Sequence, residues 1–268
     1  SPAVRPDGGI TITYVNVFGS PQQFRIKYVR CTPAGAPVTP SCQPAVLVFN
    51  ETHPLPFGFG VGTDLPIRGA GFPTLGAEQF PISTYPKHDH RVDANGTETY
   101  VMWDRCKVAL IAFGVCPDAD VVMRASKDNG ATWAGLVNVV AGDHNDQFFP
   151  AIKTDRSRNI VNITYYSSQN DLTFQHRVQV FLNHINPGAA TPDPINDTHV
   201  ITSLLDDPSS DPFVGGGFFG DYIGVAARGS GIDGKSHAYV GFTYNDVGKN
   251  CGGVVCPQQD NKLQLLVY

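Results

Sequence analysis

Apolar and polar residues alternate along this chain in short runs, and the runs recur in a fixed order. Four segments share one grammar: a short strand, a turn rich in Asp, Asn or Gly, then a longer strand of alternating β-branched or aromatic residues. The first is Pro2-Ala3-Val4-Arg5-Pro6-Asp7-Gly8-Gly9 followed by Ile10 to Val15. The second is His90 to Gly96 followed by Glu98 to Trp103, and the third is Phe149 to Asp155 followed by Ile160 to Tyr166. The fourth is Tyr222 to Ala227 and, after Gly231 to Gly234, His237 to Tyr244. Phe24 to Val29, Val121 to Ala125, Arg177 to Leu182 and Leu263 to Tyr268 fill third-strand places. No segment reads as a helix. Residues 57–80 and 186–212 are Gly/Pro-rich and aperiodic, with Pro187, Pro192 and Pro194 breaking the second, and both predict elaborated loops. The predicted class is all-β. Four-stranded units with long, variable connections are the arithmetic of propeller blades. A β-sandwich also has many short strands, but the opening Pro-Ala-Val at 2–4 returns as Pro150-Ala151-Ile152 and favours the propeller.

One turn is specified far more tightly than the rest. Ser126-Lys127-Asp128-Asn129-Gly130-Ala131-Thr132-Trp133 fits S-x-D-x-G-x-T-W. Asp128 and Ser126 can bond backbone amides across a turn, Gly130 can supply a positive φ, Thr132 starts the next strand, and Trp133 can fold back as an apolar plug under the turn. The octet resembles an Asp-box, the repeat element of sialidase-type (BNR) β-propellers. Asp146-Gln147-Phe148-Phe149-Pro150 and Phe218-Phe219-Gly220-Asp221-Tyr222 resemble blade openings in bacterial secreted sialidase-like proteins. The resemblance implies one domain over residues 1–268, built from four-stranded antiparallel blades. The family has six blades and about four are legible here, so either blades lie outside this sequence or the ring closes unusually.

Composition narrows the setting. Twenty-eight Gly and 21 Pro with 10% aromatic residues suit many short strands and tight turns. A net charge of −5 with no long basic run argues against nucleic acid as the main partner. No apolar segment approaches the ~20 residues of a membrane-spanning helix. The N-terminus has no signal-peptide pattern, which leaves a removed leader or a mature or partial chain. Six cysteines fall into local pairs, Cys31 with Cys42, Cys106 with Cys116 and Cys251 with Cys256, each flanking a short loop. Local disulfides in an oxidising compartment are expected; free thiols are the alternative, and the absence of C-x-x-C disfavours zinc. Sequons at Asn50, Asn95, Asn162 and Asn196 permit glycosylation. A secreted or cell-surface protein is expected.

Candidate chemistry follows from the propeller expectation, because residues just before each innermost strand converge at the axial mouth. Those positions hold His88-Asp89-His90-Arg91, Asp143 to Gln147, and Gly220-Asp221-Tyr222. Asp89, Asp146 and Asp221 are the candidate catalytic carboxylates; Arg91, His90, Gln147 and Tyr222 are the candidate substrate-binding groups. Each Asp has a bland alternative as a turn cap, and Trp103-Asp104-Arg105 reads as inter-blade packing. The sialidase family uses three arginines, a Tyr nucleophile beside a Glu, and an Asp acid/base, with its first arginine in R-I-P. Here the nearest string is Arg25-Ile26-Lys27, and only Glu51, Glu78 and Glu98 are present. The expected function is therefore glycan binding, or a surface or assembly role towards a cell-surface protein, without catalysis. The alternative is a glycoside hydrolase using a pair of mouth carboxylates. No cofactor is expected, although the oxygen-rich run Asp143 to Gln147 makes calcium conceivable.

Overall fold

The structure is a computed structural model that describes residues 1–19, 23–32, 40–51, 62–63, 86–93, 96–106, 115–116, 119–140, 146–172, 177–191, 198–202, 205, 223–229, 233–245, 249–251, 254–256 and 259–267. Among them there is no helix, and so none long and apolar enough to cross a membrane. Sheet 1 holds β1 (Pro2–Val4), β2 (Ile10–Phe18), β3 (Gln23–Thr32), β4 (Ser41–Cys42) and β5 (Val46–Glu51), with β4 and β5 both paired to β3. Next, β6 (Gly62–Thr63) precedes β7 (Lys87–Asp93) and β8 (Gly96–Cys106), and β9 (Val115–Cys116) pairs with β6 in parallel. Sheet 2 is the antiparallel meander β7, β8, β10 (Ala119–Ser126) and β11 (Val137–Asn138). Sheet 3 repeats it with β12 (Gln147–Asp155), β13 (Ile160–Ser167), β14 (Gln179–Ile185) and β15 (His199–Val200). Sheet 4 holds β16 (Gly224–Gly229), β17 (Ser236–Asn245) and, on β17, β20 (Gln259–Val267); between β17 and β20 in sequence, β18 (Lys249–Cys251) and β19 (Val254–Cys256) form a separate hairpin.

Four sheets appear where four repeats are legible, and the third-strand segments become β3, β10, β14 and β20. One expectation changes. The stretch 186–212 is not loop throughout, because His199–Val200 pairs with Phe181 and Leu182 as the fourth strand of sheet 3. Its β-branched run Thr198 to Ile201 lies beyond the last of the prolines that mark the turn. Of residues 57–80 only 62–63 are described, as β6.

The sheets stack face to face in chain order. First strands lie beside first strands, β1 against β7, β7 against β12 and β12 against β16. Three apolar clusters fill the joints. Ile26, Tyr28 and Val48 of sheet 1 meet Val101, Trp103 and Val122 of sheet 2. Tyr100, Met102, Val121 and Met123 meet Ile152, Ile163, Tyr165 and Phe181 of sheet 3. Phe148, Tyr166, Val180 and Leu182 meet Ile223, Ala238, Val240 and Phe242 of sheet 4. Because strand side chains alternate in direction, β8 sends Tyr100 and Met102 one way and Val101 and Trp103 the other. Middle sheets are thus covered on both faces, which explains their near-continuous apolar runs. Trp103 packs on Phe49 of sheet 1, ring centroids 5.5 Å apart, as the inter-sheet reading of this residue anticipates.

The Ser126–Trp133 turn forms between β10 and β11, but Thr132 does not start the next strand: its amide and hydroxyl bond back to Asp128, and β11 begins only at Val137. Ser126 Oγ donates to Asp128 Oδ1 (2.8 Å) and accepts from the Gly130 amide (2.7 Å). Asp128 also accepts from the Thr132 amide (2.8 Å) and the Thr132 hydroxyl. Burial alone would raise the Asp128 carboxyl, but the bonds from Thr132, Ser126 and Ala131 outweigh it and hold its pKa at about 2. Asn129 and Gly130 take φ values of 61° and 83°. Trp133 meets Tyr28 of sheet 1 edge-on at 5.5 Å. Arg124 donates to the Ala134 and Trp133 carbonyls within the turn and to Val48 O across the joint. The turn is therefore a clamp between two sheets as well as a hairpin.

Cys31 and Cys42 are bonded across β3 and β4. The side chains of Cys106, Cys116, Cys251 and Cys256 lie outside the described residues. Asn162 is fully buried and donates to Lys153 O, so its sequon is closed in the folded protein. Asn50 is exposed; Asn95 and Asn196 lie outside the described residues.

Gly130 tests the clamp. A Cβ there would stand 2.2 Å from Tyr28 Cε1 at a positive φ, whereas Gly188 has φ 82° and open space. Gly130→Ala should cost about 2–5 kcal/mol in urea unfolding and Gly188→Ala only about 1–2. Equal costs would remove the Tyr28 contact from the account.

Candidate functional site

The candidate mouth residues sit on or just before first strands, and burial is the first fact about them. His88 is 4% exposed, Asp89 1%, His90 0% and Arg91 2%, so β7 carries four consecutive polar residues inside the molecule. Such groups must be paired. The strand's alternation splits them: His88 and His90 face sheet 1, Asp89 and Arg91 face sheet 3.

Asp89 Oδ2 accepts from the Thr154 amide of β12 (2.8 Å) and pairs with Lys153 Nζ (3.2 Å). Asp146, immediately before β12, accepts at Oδ1 from the Ala119 amide of β10 (2.8 Å). Both carboxylates thus bridge sheets 2 and 3 through backbone amides. They do so at opposite ends of β12. Residues 146 and 154 are eight apart, so at the usual rise per residue the carboxylates are separated by about 20–25 Å. A glycosidic acid/base pair needs roughly 5–10 Å. Asp89 and Asp146 enter the joint at different heights, farther apart than that spacing.

Arg91 stands at the far end of β7 from Asp146. Its Nε donates to Glu98 Oε2 (2.9 Å), and its remaining nitrogens reach Glu98 again and the carbonyls of Asn186 (2.9 Å), Ala189 (2.6 Å), Asn159 and Ile185. Glu98 also accepts from the Tyr100 hydroxyl. This guanidinium straps sheet 2 to the turns of sheet 3, and a substrate carboxylate would have to displace a buried Glu to reach it. Glu98 is the residue the sequence reading passed over. Its signal was available, since hairpin register around Asp93 and Gly96 sets Glu98 directly opposite Arg91.

His90 Nε2 lies 2.7 Å from Thr11 Oγ1 and its Nδ1 3.1 Å from Thr99 Oγ1, so this ring also serves a sheet joint. Gln147 is buried at the start of β12. Asp221 and Tyr222 lie outside the described residues, as does 141–145 of the oxygen-rich run. Among the described residues no group of three His, Cys, Asp or Glu could hold a metal ion.

Nearby, Phe149 has φ 50° at a bulge between Phe148 and Ala151, a conformation that bulky residues rarely adopt. Bulges of this kind re-aim side chains and recur beside active sites. A concavity of about 390 Å³ lies at the outer hairpin, lined by Met123, Lys127, Trp133, Val137 and Thr191 among others.

If Arg91 is a strap, Arg91→Met should destabilise the fold by about 3–5 kcal/mol through the orphaned Glu98, and Arg91→Met with Glu98→Leu should recover part of the loss. Chemical denaturation of the three proteins checks this; an unaltered midpoint in Arg91→Met would return the residue to ligand binding.

No protein-family model matches the chain, and no curated protein matches it. Solved structures resemble it distantly. A Hadza microbial sialidase is 10% identical with a TM-score of 0.41, the match covering 100% of this chain and 43% of that one. A mutant α-L-arabinofuranosidase from Fusarium graminearum is 8% identical with a TM-score of 0.41, covering 100% and 61%. An N-acetylgalactosamine deacetylase from F. plautii is 10% identical with a TM-score of 0.35, covering 98% and 73%. The chain thus spans less than two thirds of the length of the first two, and likeness at this level assigns neither family nor activity.

Proposed function

We propose that the chain is a sialidase-like β-propeller, each sheet a blade and residues 1–268 a single unit, that binds extracellular glycans without hydrolysing them. Support for the propeller comes from the neighbouring first strands β1, β7, β12 and β16, the outward meander in each sheet, and the clamp turn between third and fourth strands. The observation that carries the non-catalytic reading is the commitment of Asp89, Asp146 and Arg91 to groups of the adjoining sheet. The Cys31–Cys42 bond suits an extracellular setting.

A glycoside hydrolase is the second reading, favoured by the strained bulge beside Asp146. In that reading Asp146 and Asp221, which precede the first strands of adjacent sheets, form the carboxylate pair.

Binding and turnover of sialylated and neutral glycans and of aryl glycosides separate the two. Retention of a glycan with no product is expected. Turnover abolished by Asp146→Asn and by Asp221→Asn would install the hydrolase, and no retention of any glycan would defeat the binding role.

A further inference from the structure

We propose that the joint between sheets 1 and 2 is an acid-operated latch, in which protonation of His88 and His90 parts β2 from β7 while sheets 2 to 4 stay stacked. The joint is a zipper of alternate residues. Thr11 and Thr13 on β2 face His88 and His90 on β7, and all four are at least 96% buried. Thr11 Oγ1 is 2.7 Å from Nε2 of both histidines and 3.2 Å from Ala3 O. One hydroxyl has one proton and two lone pairs. Donating to the Ala3 carbonyl, it accepts from both Nε2–H groups, so both rings are neutral with Nδ1 bare. Thr13 then donates to His88 Nδ1 (2.9 Å) and Thr99 to His90 Nδ1 (3.1 Å). Thr13 Oγ1 also lies 3.1 Å from the Pro86 carbonyl, and each ring nitrogen of the neutral pair has a hydroxyl partner.

A second proton on each ring breaks that pairing. The rings are 5.5 Å apart, and Tyr28 packs over both. Burial, then His90, the Ser1 amino group and Lys153, drive His88 well below the ordinary imidazole range against a bond from the ring to the Thr11 backbone. Burial lowers His90 to about 4; Asp89 and Asp7 favour its cation, and Arg5 and Arg156 oppose it. The parted joint exposes both rings and restores their ordinary pKa near 6.5. Between that value and about 4 the parted form binds more protons, so acid favours parting. The closed joint is fully favoured above about pH 6.5 and loses that advantage as pH falls towards 4. The other joints differ in kind: sheets 2 and 3 are clamped by carboxylates, and Asp155 of sheet 3 accepts from Ser236 of sheet 4 (2.6 Å). His184, also lowered to about 4, faces His199 on edge strand β15 and lies within sheet 3, away from sheet 1.

Amide exchange by mass spectrometry on the full chain at pH 7 and pH 5, corrected for intrinsic rates, reads the latch. For His90 alone, protection across residues 2–32 should fall roughly twentyfold, with 147–185 little changed. His88→Gln with His90→Gln should abolish the pH dependence in 2–32. Should that variant not fold, imidazole titration by NMR in the unaltered protein decides, with His90 expected to titrate at about 4 and His88 well below its ordinary range. Equal loss of protection in the two segments, loss in 2–32 that persists in the double variant, or both rings titrating near 6.5 would each overturn the latch.

Discussion

Four consecutive polar residues of β7, His88 to Arg91, lie buried between two sheets, and the stacking of the molecule depends on finding each a partner. The solution alternates with the strand. Histidines face threonine hydroxyls of sheet 1; the acid and the guanidinium face amides, a lysine and carbonyls of sheet 3. Apolar contacts supply the bulk of the attraction between sheets but are tolerant of sliding. Hydrogen bonds of fixed length are not, and a buried group left without one costs about 1–3 kcal/mol. The polar spine therefore sets the height at which neighbouring sheets meet.

Tyr28 gathers several of these constraints at one point. Its ring is buried over Gly130, meets Trp133 at 5.5 Å and His88 at 5.8 Å, and belongs to the apolar cluster of the first joint. A turn whose Ser126, Asp128 and Thr132 bonds are local is thereby tied to β3 of the neighbouring sheet. This accounts for the demand on Gly130 more fully than its positive φ does, since Asn129 tolerates a positive φ in the same turn. Local geometry permits several residues there; the Tyr28 ring permits one.

Much of the architecture was legible. Strand periodicity located the four sheets and their third strands, and Ser126 and Asp128 accept from turn amides as their spacing implies. The site was far less legible. Asp89, Asp146 and Arg91 looked alike in sequence, each a polar residue near the start of a strand, yet they enter joints at heights that differ by most of the length of β12. Glu98, one of three Glu in the chain, gains a role only from the hairpin register that places it opposite Arg91. His199–Val200 escaped notice because two residues make no period.

Alternation of side chains, turn chemistry and the Ser126–Trp133 octet are properties of consecutive residues, and the sequence by itself determined them: an all-β chain of repeated antiparallel units, hinged on Asp- and Gly-bearing turns. Whether a polar side chain faces solvent, a ligand or another sheet depends on how units meet, and no local rule contains that. Only the tertiary structure decided that His90, Asp89 and Arg91 are inward braces, because burial forces each to pair with the backbone or side chains of a sheet remote in sequence.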